Sequence, residues 1–243
     1  MSRTRWYIDG IIVRIFIQPE GHRVVQSSDQ VFSKVLRREV NCSYLLYLPD
    51  GYAADGRNDY PLILFLHGAG ERGSDLDLLK VTGLPRHIEE GLNLPFIIVC
   101  PQCSLNQTWD PRTLDELLGE IIERYKVDEC RIYLTGLSMG GRGTWMLANE
   151  YPERFAAVAP ICAPFTVLKL PNFKRIPIWC FHGAMDPVIS IADTVKSVRL
   201  LRAAGCQVKF TVYADADHDS WTETYQNPEL YEWFQANRKN QVE

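Results

Sequence analysis

The chain has 243 residues, of which 46% are hydrophobic and 23% are charged, and its formal net charge at pH 7 is −4. A chain of this length can bury one large core, and its 26 lysines and arginines are spread along the sequence, which argues against a basic surface for nucleic acid or an anionic membrane. We therefore expect a single domain over residues 1–243 that acts on a small molecule, with no nucleic-acid and no membrane partner. The sequence carries no indication of an oligomeric state.

The N-terminal apolar run at residues 11–17, IIVRIFI, is interrupted by Arg14 and precedes no small-residue cleavage site. It is a poor match to a signal peptide and is too short to cross a bilayer. The seven cysteines are odd in number and irregularly spaced, which is typical of reduced thiols rather than of a disulfide framework. Together these features predict a soluble, cytoplasmic protein.

A second apolar run, SYLLYLP at residues 43–49, follows the first without an intervening helical pattern. Two such runs predict antiparallel strands at one edge of a sheet. Residues 1–25 are the part of the chain with the weakest pattern, and we interpret them as a possible N-terminal edge extension of the single domain.

Six further apolar runs are bounded by glycine, proline or polar residues: 60–67, 95–100, 131–136, 155–161, 176–183 and 207–213. Apolar residues recur at helical spacing in four segments: 113–125, 139–150, 191–201 and 221–234. Continuous apolar strands that alternate with helices form parallel sheets covered on both faces. The order therefore predicts an α/β fold with a mainly parallel sheet and helices on both faces.

Four glycines surround Ser138 in the segment 134–145, LTGLSMGGRGTW. Ser138 follows a strand-like run and opens a helical pattern, so the chain must turn sharply there, and only small residues fit two positions before and after it. Gly136 and Gly140 occupy those positions and complete G-x-S-x-G, the nucleophile elbow that holds a serine Oγ exposed at the top of a strand. Ser138 is the candidate nucleophile, and the alternative is a glycine-rich helix start with a capping serine.

A serine nucleophile needs a base to take its proton and an acid to orient that base, and the elbow fold places them in the chain order serine, acid, histidine. Three of the five histidines precede Ser138, and His182 lies at a strand end ahead of most remaining acids. His218, just past the last apolar run, is therefore the candidate base. Asp186, in the loop after the preceding run, is the candidate acid.

Other acids and histidines fit these roles less well. Asp193 falls in a helical pattern, and Asp217 and Asp219 are too close along the chain to His218 to reach its Nδ1. We expect His67 and His182, which each precede a glycine at a strand end, to be structural.

The oxyanion formed during acyl transfer needs two preorganised donors. The N–H of Met139, directly after the candidate nucleophile, is one candidate. The second is the N–H of Ala69 in the glycine-rich loop LHGAGERG, 66–73, with Gly70 as the alternative donor. Trp109 and Trp221 are candidate substrate-binding residues, and a core position is the alternative for each.

Two motifs imitate other functions. GAGERG, residues 68–73, fits the G-x-G-x-x-G pattern of a dinucleotide site, but Glu71 would face the pyrophosphate, and Glu89 and Glu90 precede the next strand rather than end it. CPQC, residues 100–103, resembles a redox C-x-x-C but opens no helix, so we interpret it as a loop at the rim of the site. No metal motif is present, and we expect neither a metal nor another cofactor.

Over about residues 35–238, the chain resembles the α/β-hydrolases through LHGAGERG, PQC, LTGLSMGGRGTW, APICA, FHGAMDPV and the late DHDSW. The combination is similar to the branch of feruloyl-esterase-like and polyhydroxybutyrate-depolymerase-like carboxylesterases, whose members are often labelled predicted peptidases. The resemblance implies an α/β-hydrolase fold and a serine hydrolase that cleaves small acyl or aryl esters through an acyl-enzyme intermediate. A serine peptidase acting on small peptides is the alternative, and a non-catalytic ligand-binding protein is a further one.

Overall fold

A computed structural model describes residues 39–164 and 169–239, together with the backbone of 5–8, 11–14 and 27–28. The chain divides into two compact units, residues 1–39 and 40–243. The first contains a three-stranded antiparallel sheet of β1 (Arg5–Ile8), β2 (Ile11–Arg14) and β3 (Ser27–Ser28), with β2 in the centre. The prediction of a single domain over 1–243 spans both units and stays a prediction.

The strand predicted at residues 11–17 was expected at one edge of the main sheet. Its described part, Ile11–Arg14, pairs instead with β1, and residues 15–17 lie outside the described residues, as does most of 1–25. Only Asp9 and Gly10 separate the two strands in the sequence, and Asp-Gly is a preferred dipeptide of two-residue hairpins. A neighbouring strand thus supplies the pairing that the sequence analysis assigned to the main sheet.

The second unit is built on a seven-stranded sheet. Its strands are β4 (Tyr44–Tyr47), β5 (Tyr60–Leu66), β6 (Ile97–Pro101), β7 (Val127–Leu137), β8 (Ala157–Ile161), β9 (Ile178–Gly183) and β10 (Val208–Tyr213). They lie in the order β10-β9-β8-β7-β5-β6-β4, and every pairing is parallel except that of β4 with β6. The sheet confirms the prediction of a mainly parallel α/β fold with an antiparallel strand from residues 43–49 at its edge.

The helices are α1 (Gly83–Glu89), α2 (Pro111–Arg124), α3 (Met139–Glu150), α4 (Ile191–Ala203), α5 (Trp221–Gln226) and α6 (Pro228–Ala236). Two separate apolar clusters cover the two faces of the sheet. Leu62 and Leu64 of β5 pack in one cluster with side chains of α2, α3 and α4, whereas Ile63 and Phe65 pack in the other with those of α1, α5 and α6. This alternation explains why central strands of the sheet read as continuous apolar runs.

Two helices differ from the sequence prediction. The pattern at 221–234 is divided at Asn227, whose side chain caps α6 by accepting a hydrogen bond from the N–H of Glu229, and Pro228 is the first residue of the new helix. Proline suits the first turn of a helix but disrupts an interior, so it ends one helix and starts the next. Helix α1 lies in a segment with no clear helical pattern.

The parallel strands determine where the functional side chains meet. Because β5, β7, β8, β9 and β10 run in the same direction, the loops that follow them emerge at one edge of the sheet. Those loops carry His67, Ser138, Cys162, Asp186 and His218. Within the described part of the chain, no helix combines the length and the apolar character needed to cross a membrane.

Candidate active site

Ser138 lies at the sharp turn between β7 and α3 with φ of 51° and ψ of −114°, a backbone conformation that residues other than glycine rarely adopt. A Cβ on Gly136 would lie 2.5 Å from the carbonyl oxygen of Gly140, and a Cβ on Gly140 would collide with the carbonyl oxygen of Leu66. The two glycines therefore allow three stretches of backbone to pack without side chains between them, as the elbow motif predicts.

Cys162 lies directly behind the candidate nucleophile. The N–H of Ser138 donates to the carbonyl oxygen of Ile161 at 3.0 Å and to Sγ of Cys162 at 3.2 Å. Cys162 is fully buried and has φ of 42°, and burial raises the pKa of its thiol, which keeps it protonated at neutral pH. Sequence reasoning missed this residue, whose only signal is its position directly after β8.

The three residues predicted as nucleophile, base and acid lie in one hydrogen-bonded line. Nε2 of His218 is 3.0 Å from Oγ of Ser138, and Nδ1 of His218 is 2.8 Å from Oδ2 of Asp186. The carboxylate can only accept, so Nδ1 carries the proton and Nε2 accepts from the serine hydroxyl. The Asp186 side chain is fully buried, whereas that of His218 is 19% exposed at the open end of the line.

Asp186 is held as a carboxylate by its hydrogen bonds. Burial alone would raise its pKa, but the bond from His218 and those from the N–H groups of Ile189 and Val188 outweigh burial and leave the pKa below its usual value. The two N–H groups reach Oδ1 at 2.9 and 2.8 Å. Asp217 and Asp219 do not compete for His218: Asp217 accepts from the N–H of Asp219, and Asp219 accepts from Thr222.

The two histidines expected to be structural are both fully buried. Nε2 of His67 accepts from the N–H of Cys103 at 2.9 Å, and its Nδ1 donates to the carbonyl of Gly68. Burial lowers the pKa of His67 to about 4, so the ring is neutral. His182 bonds to Thr194 and Ile189, and its Nε2 also lies 3.2 Å from Oδ2 of Asp186, a contact that sequence reasoning did not predict.

The predicted oxyanion donors flank the turn. Met139 is the first residue of α3, where N–H groups have no carbonyl of the same helix to bond. Ala69 is exposed in the loop after β5, and its own carbonyl accepts from Nε of Arg72 at 2.9 Å. Side chains hold this loop from both ends: Nε1 of Trp109 donates to the carbonyl of His67 at 3.1 Å, and Nε2 of Gln102 donates to that of Glu71 at 3.0 Å.

A cavity of about 430 Å³ opens onto Ser138. It is lined by Thr108, Trp109, Ser138, Met139, Arg142, Gly143, Met146, Ala163, Pro164 and Ile189. The predicted substrate-binding residue Trp109 is thus in the wall, whereas Trp221 is not among the lining residues and packs edge-on against His218 with 5.3 Å between ring centroids. Sequence reasoning missed Arg142, Met146 and Ile189, which carry no motif of their own.

The motifs GAGERG and CPQC lie in or beside the loop that carries Ala69. Glu71 is half-buried near His67, Glu89 accepts from the hydroxyl of Tyr47, and Glu90 accepts from Nε of Arg86. In CPQC, Cys100 lies in β6 with its thiol buried, and Gln102 and Cys103 hold residues 67–75 through hydrogen bonds.

Comparisons with known proteins show the family of the chain. The model of the dienelactone hydrolase family matches residues 105–241, more than half of the chain. The chain is 26% identical over 152 residues to "Bifunctional acetylxylan esterase/xylanase" of Neocallimastix patriciarum, covering 60% of this chain and 21% of that protein. It is 27% identical over 173 residues to "Probable feruloyl esterase C" of Aspergillus terreus, covering 68% of this chain and 62% of that protein.

Among solved structures, that of a thermostable esterase is 31% identical to this chain, with a TM-score of 0.69, and the match covers 96% of this chain and 64% of that one. A dienelactone hydrolase structure from Klebsiella pneumoniae, 20% identical with a TM-score of 0.57 over 80% of this chain and 93% of that one, shares the fold. The chain therefore spans about a fifth and about three fifths of the two curated relatives, and just under two thirds of the esterase.

Proposed function

Because the chain belongs to the dienelactone hydrolase family of α/β-hydrolases, we propose that it is a serine hydrolase that cleaves carboxylic esters through an acyl-enzyme intermediate. The observation that carries the proposal is the line from Oγ of Ser138 to Nε2 of His218 at 3.0 Å and from Nδ1 of His218 to Oδ2 of Asp186 at 2.8 Å. A nucleophile, a base and an orienting acid within hydrogen-bond distance are what acyl transfer by serine requires.

In the first half of the reaction, Oγ of Ser138 attacks the ester carbonyl while Nε2 of His218 takes the hydroxyl proton. Asp186 holds the ring in the tautomer that can accept this proton and stabilises the imidazolium that results. Collapse of the tetrahedral intermediate breaks the ester bond, and His218 returns the proton to the departing alcohol. The acyl group stays on Ser138.

The N–H groups of Met139 and Ala69 are the proposed oxyanion donors. Met139 begins α3, so its N–H lies at the positive end of the helix dipole, beside the serine whose substrate carbonyl becomes negative. The bonds from Trp109 and Arg72 to backbone carbonyls fix the loop that presents Ala69. In the second half of the reaction, His218 takes a proton from water as the water attacks the acyl-enzyme, and it returns the proton to Oγ of Ser138 as the acid leaves.

The cavity supports small acyl or aryl esters as substrates. Its volume of about 430 Å³ lies toward the small end of ligand pockets, and most of its lining is apolar, including Trp109, Met146 and Ile189. The names of the two esterase relatives refer to acetyl and feruloyl esters, which are groups of this size. Trp221 would contribute by packing against His218 rather than by lining the cavity.

The serine peptidase alternative is weaker. An amide has a poor leaving group, so it needs well-placed protonation and tight peptide binding. A non-catalytic binding protein is the third possibility, and it would not require the serine–histidine–aspartate line.

Labelling and hydrolysis test the proposal together. A fluorophosphonate probe should label the parent protein and not Ser138→Ala, and kcat/KM should be compared for acetyl, butyryl, decanoyl and feruloyl esters and a matched anilide. We expect the highest values for the short or aryl esters. A maximum at decanoyl, or an anilide within about tenfold of its ester, would contradict the substrate class, and equal labelling of both proteins would remove Ser138 from the mechanism.

We also propose that the protein functions in a reducing compartment such as the cytoplasm, since all seven cysteines are free thiols, five of them buried. Alkylation in lysates of its host, followed by denaturation, should find seven unpaired thiols. A disulfide in the isolated native protein would contradict this location.

A further inference from the structure

His182 has close contacts with the acid loop, residues 183–190. It is the penultimate residue of β9 and is fully buried. Its Nε2 lies 2.9 Å from the carbonyl oxygen of Ile189 and 3.2 Å from Oδ2 of Asp186, while its Nδ1 lies 2.9 Å from Oγ1 of Thr194 in α4. The same carboxylate oxygen that faces His218 is therefore also faced by a second imidazole.

The hydrogen-bond partners decide the tautomer of His182. A carbonyl oxygen and a carboxylate oxygen only accept, so Nε2 must carry a proton. Thr194 is also fully buried, and its hydroxyl has no other hydrogen-bond partner within residues 39–164 and 169–239. The hydroxyl therefore donates to Nδ1, which acts as the acceptor, and Thr194 selects the tautomer with the proton on Nε2, which bonds to Ile189 and lies beside Asp186.

The Asp186 carboxylate is thereby surrounded by donors. Oδ1 accepts from the N–H groups of Val188 and Ile189, and Oδ2 faces Nδ1 of His218 and Nε2 of His182. The two N–H donors on Oδ1, the bond from His218 to Oδ2 and the close contact of Nε2 of His182 with Oδ2 fix the plane of the carboxylate, and this plane sets the direction of the bond to His218. A shift of the base by a fraction of an ångström changes the proton transfer from Ser138, because acyl transfer depends steeply on the geometry of the reacting groups.

We infer that His182, held in one tautomer by Thr194, is a positioning residue that fixes the Asp186 carboxylate against His218. This role rests on the proposed function, in which Asp186 orients the base. It extends the line of contacting side chains to five, from Thr194 through His182, Asp186 and His218 to Ser138. His182 touches no substrate, so its loss should cost far less than loss of the nucleophile.

Thr194→Val tests the role with the smallest change of shape. Valine keeps the volume of threonine but cannot donate to Nδ1, so we expect kcat for p-nitrophenyl acetate to fall about tenfold while KM stays within about twofold. Thr194→Ser restores the hydroxyl and should restore kcat. Ser197→Ala, which removes a buried hydroxyl from the same helix, is the matched control and should keep the parent kcat. His182→Phe should lower kcat by about 10- to 100-fold if it folds.

A spectroscopic measurement separates this role from the proposed function because it needs no turnover. The Nδ1–H proton of His218, bonded to Asp186, gives a downfield proton resonance that His218→Ala identifies by removing it. Thr194→Val should shift that resonance, whereas Thr194→Ser and Ser197→Ala should leave it in place. If the parent neither hydrolyses esters nor reacts with a fluorophosphonate, the proposed function fails while a shifted resonance still supports the positioning of Asp186.

Three results would overturn the role of His182. One is an unchanged resonance and an unchanged kcat in Thr194→Val. Another is a loss of kcat in Thr194→Ser equal to that in Thr194→Val, because the hydroxyl would then not be the cause. The third is a rise in KM at constant kcat, which would mean that His182 only shapes the cavity through Ile189.

Discussion

The turn that carries Ser138 and the loop that carries Asp186 are stabilised in different ways. At the turn, backbone packs directly on backbone, with the glycine at 140 lying against the carbonyl of Leu66. In the acid loop, buried side chains form the key contacts, since Asp186 and His182 each bond to loop backbone and lie 3.2 Å apart. The turn should therefore be intolerant of added volume, whereas the acid loop should be sensitive to the loss of single polar groups.

Removing the nucleophile should have the largest effect on activity and almost none on the turn. Ser138→Ala takes away one oxygen and leaves the backbone contacts intact, so we expect an unchanged unfolding midpoint and a loss of roughly 10⁴–10⁶-fold in kcat. Steady-state kinetics and thermal unfolding of the same preparation measure both. Unfolding of this variant would show that the serine hydroxyl, and not the glycine packing, holds the turn.

Replacing the base or the acid should have the next largest effects on activity. His218→Ala and Asp186→Asn should each lower kcat/KM by about 10³-fold or more, the second because asparagine favours the wrong tautomer of the ring. Replacing His182 by Gln should lower kcat by far less than either of these substitutions, because His182 only positions the Asp186 carboxylate. An active His218→Ala beside a His182→Gln variant as inactive as Ser138→Ala would reverse the assignment of the base.

Added volume at the turn should destabilise the whole fold. Gly140→Ala places a Cβ against the carbonyl of Leu66, and backbone cannot move aside as a flexible side chain can, so we expect the free energy of unfolding to fall by about 3 kcal/mol or more. Gly119→Ala in α2 is the control, because its Cβ would meet no atom within 4 Å, and it should raise stability by about 0.5–1 kcal/mol. Denaturant unfolding measures both, and equal stability of the two variants would refute the packing explanation.

The buried ring of His67, beside the loop that carries Ala69, should affect stability only in acid. The folded-state pKa of His67 is lowered to about 4, whereas an unfolded histidine has a pKa of about 6.5, so the unfolded chain binds more protons between these values. Stability is therefore highest above about pH 6.5, and the His67 contribution of about 3 kcal/mol is lost as pH falls through that range toward 4. His67→Gln should unfold with a shallower pH dependence between pH 7 and 4, and an unchanged slope would contradict the burial of a neutral ring.

The sequence was sufficient to predict those features of the site that depend on a short motif. The elbow glycines, the chain order of the candidate nucleophile, acid and base, and the glycine-rich loop after the apolar run 60–67 could be predicted because parallel strands deliver the loops that follow them to one edge of the sheet. The pairing of Ile11–Arg14 could not be predicted, because an apolar pattern indicates a strand but does not indicate which strand it pairs with. Helix α1 and the break at Pro228 were missed since burial against the sheet, and not periodicity, stabilises these short helices.

By itself the sequence determined which side chains were candidates, since Ser138, Asp186 and His218 each occupy a recognisable position relative to a strand. Only the tertiary structure decided what surrounds them. Ser138 and His218 are 80 positions apart in the chain, and Cys162, Arg142, Ile189 and His182 join the site through contacts that no motif encodes. The reason is physical: hydrogen bonds and cavity walls depend on distances between loops of different strands, and the packing of the sheet sets those distances.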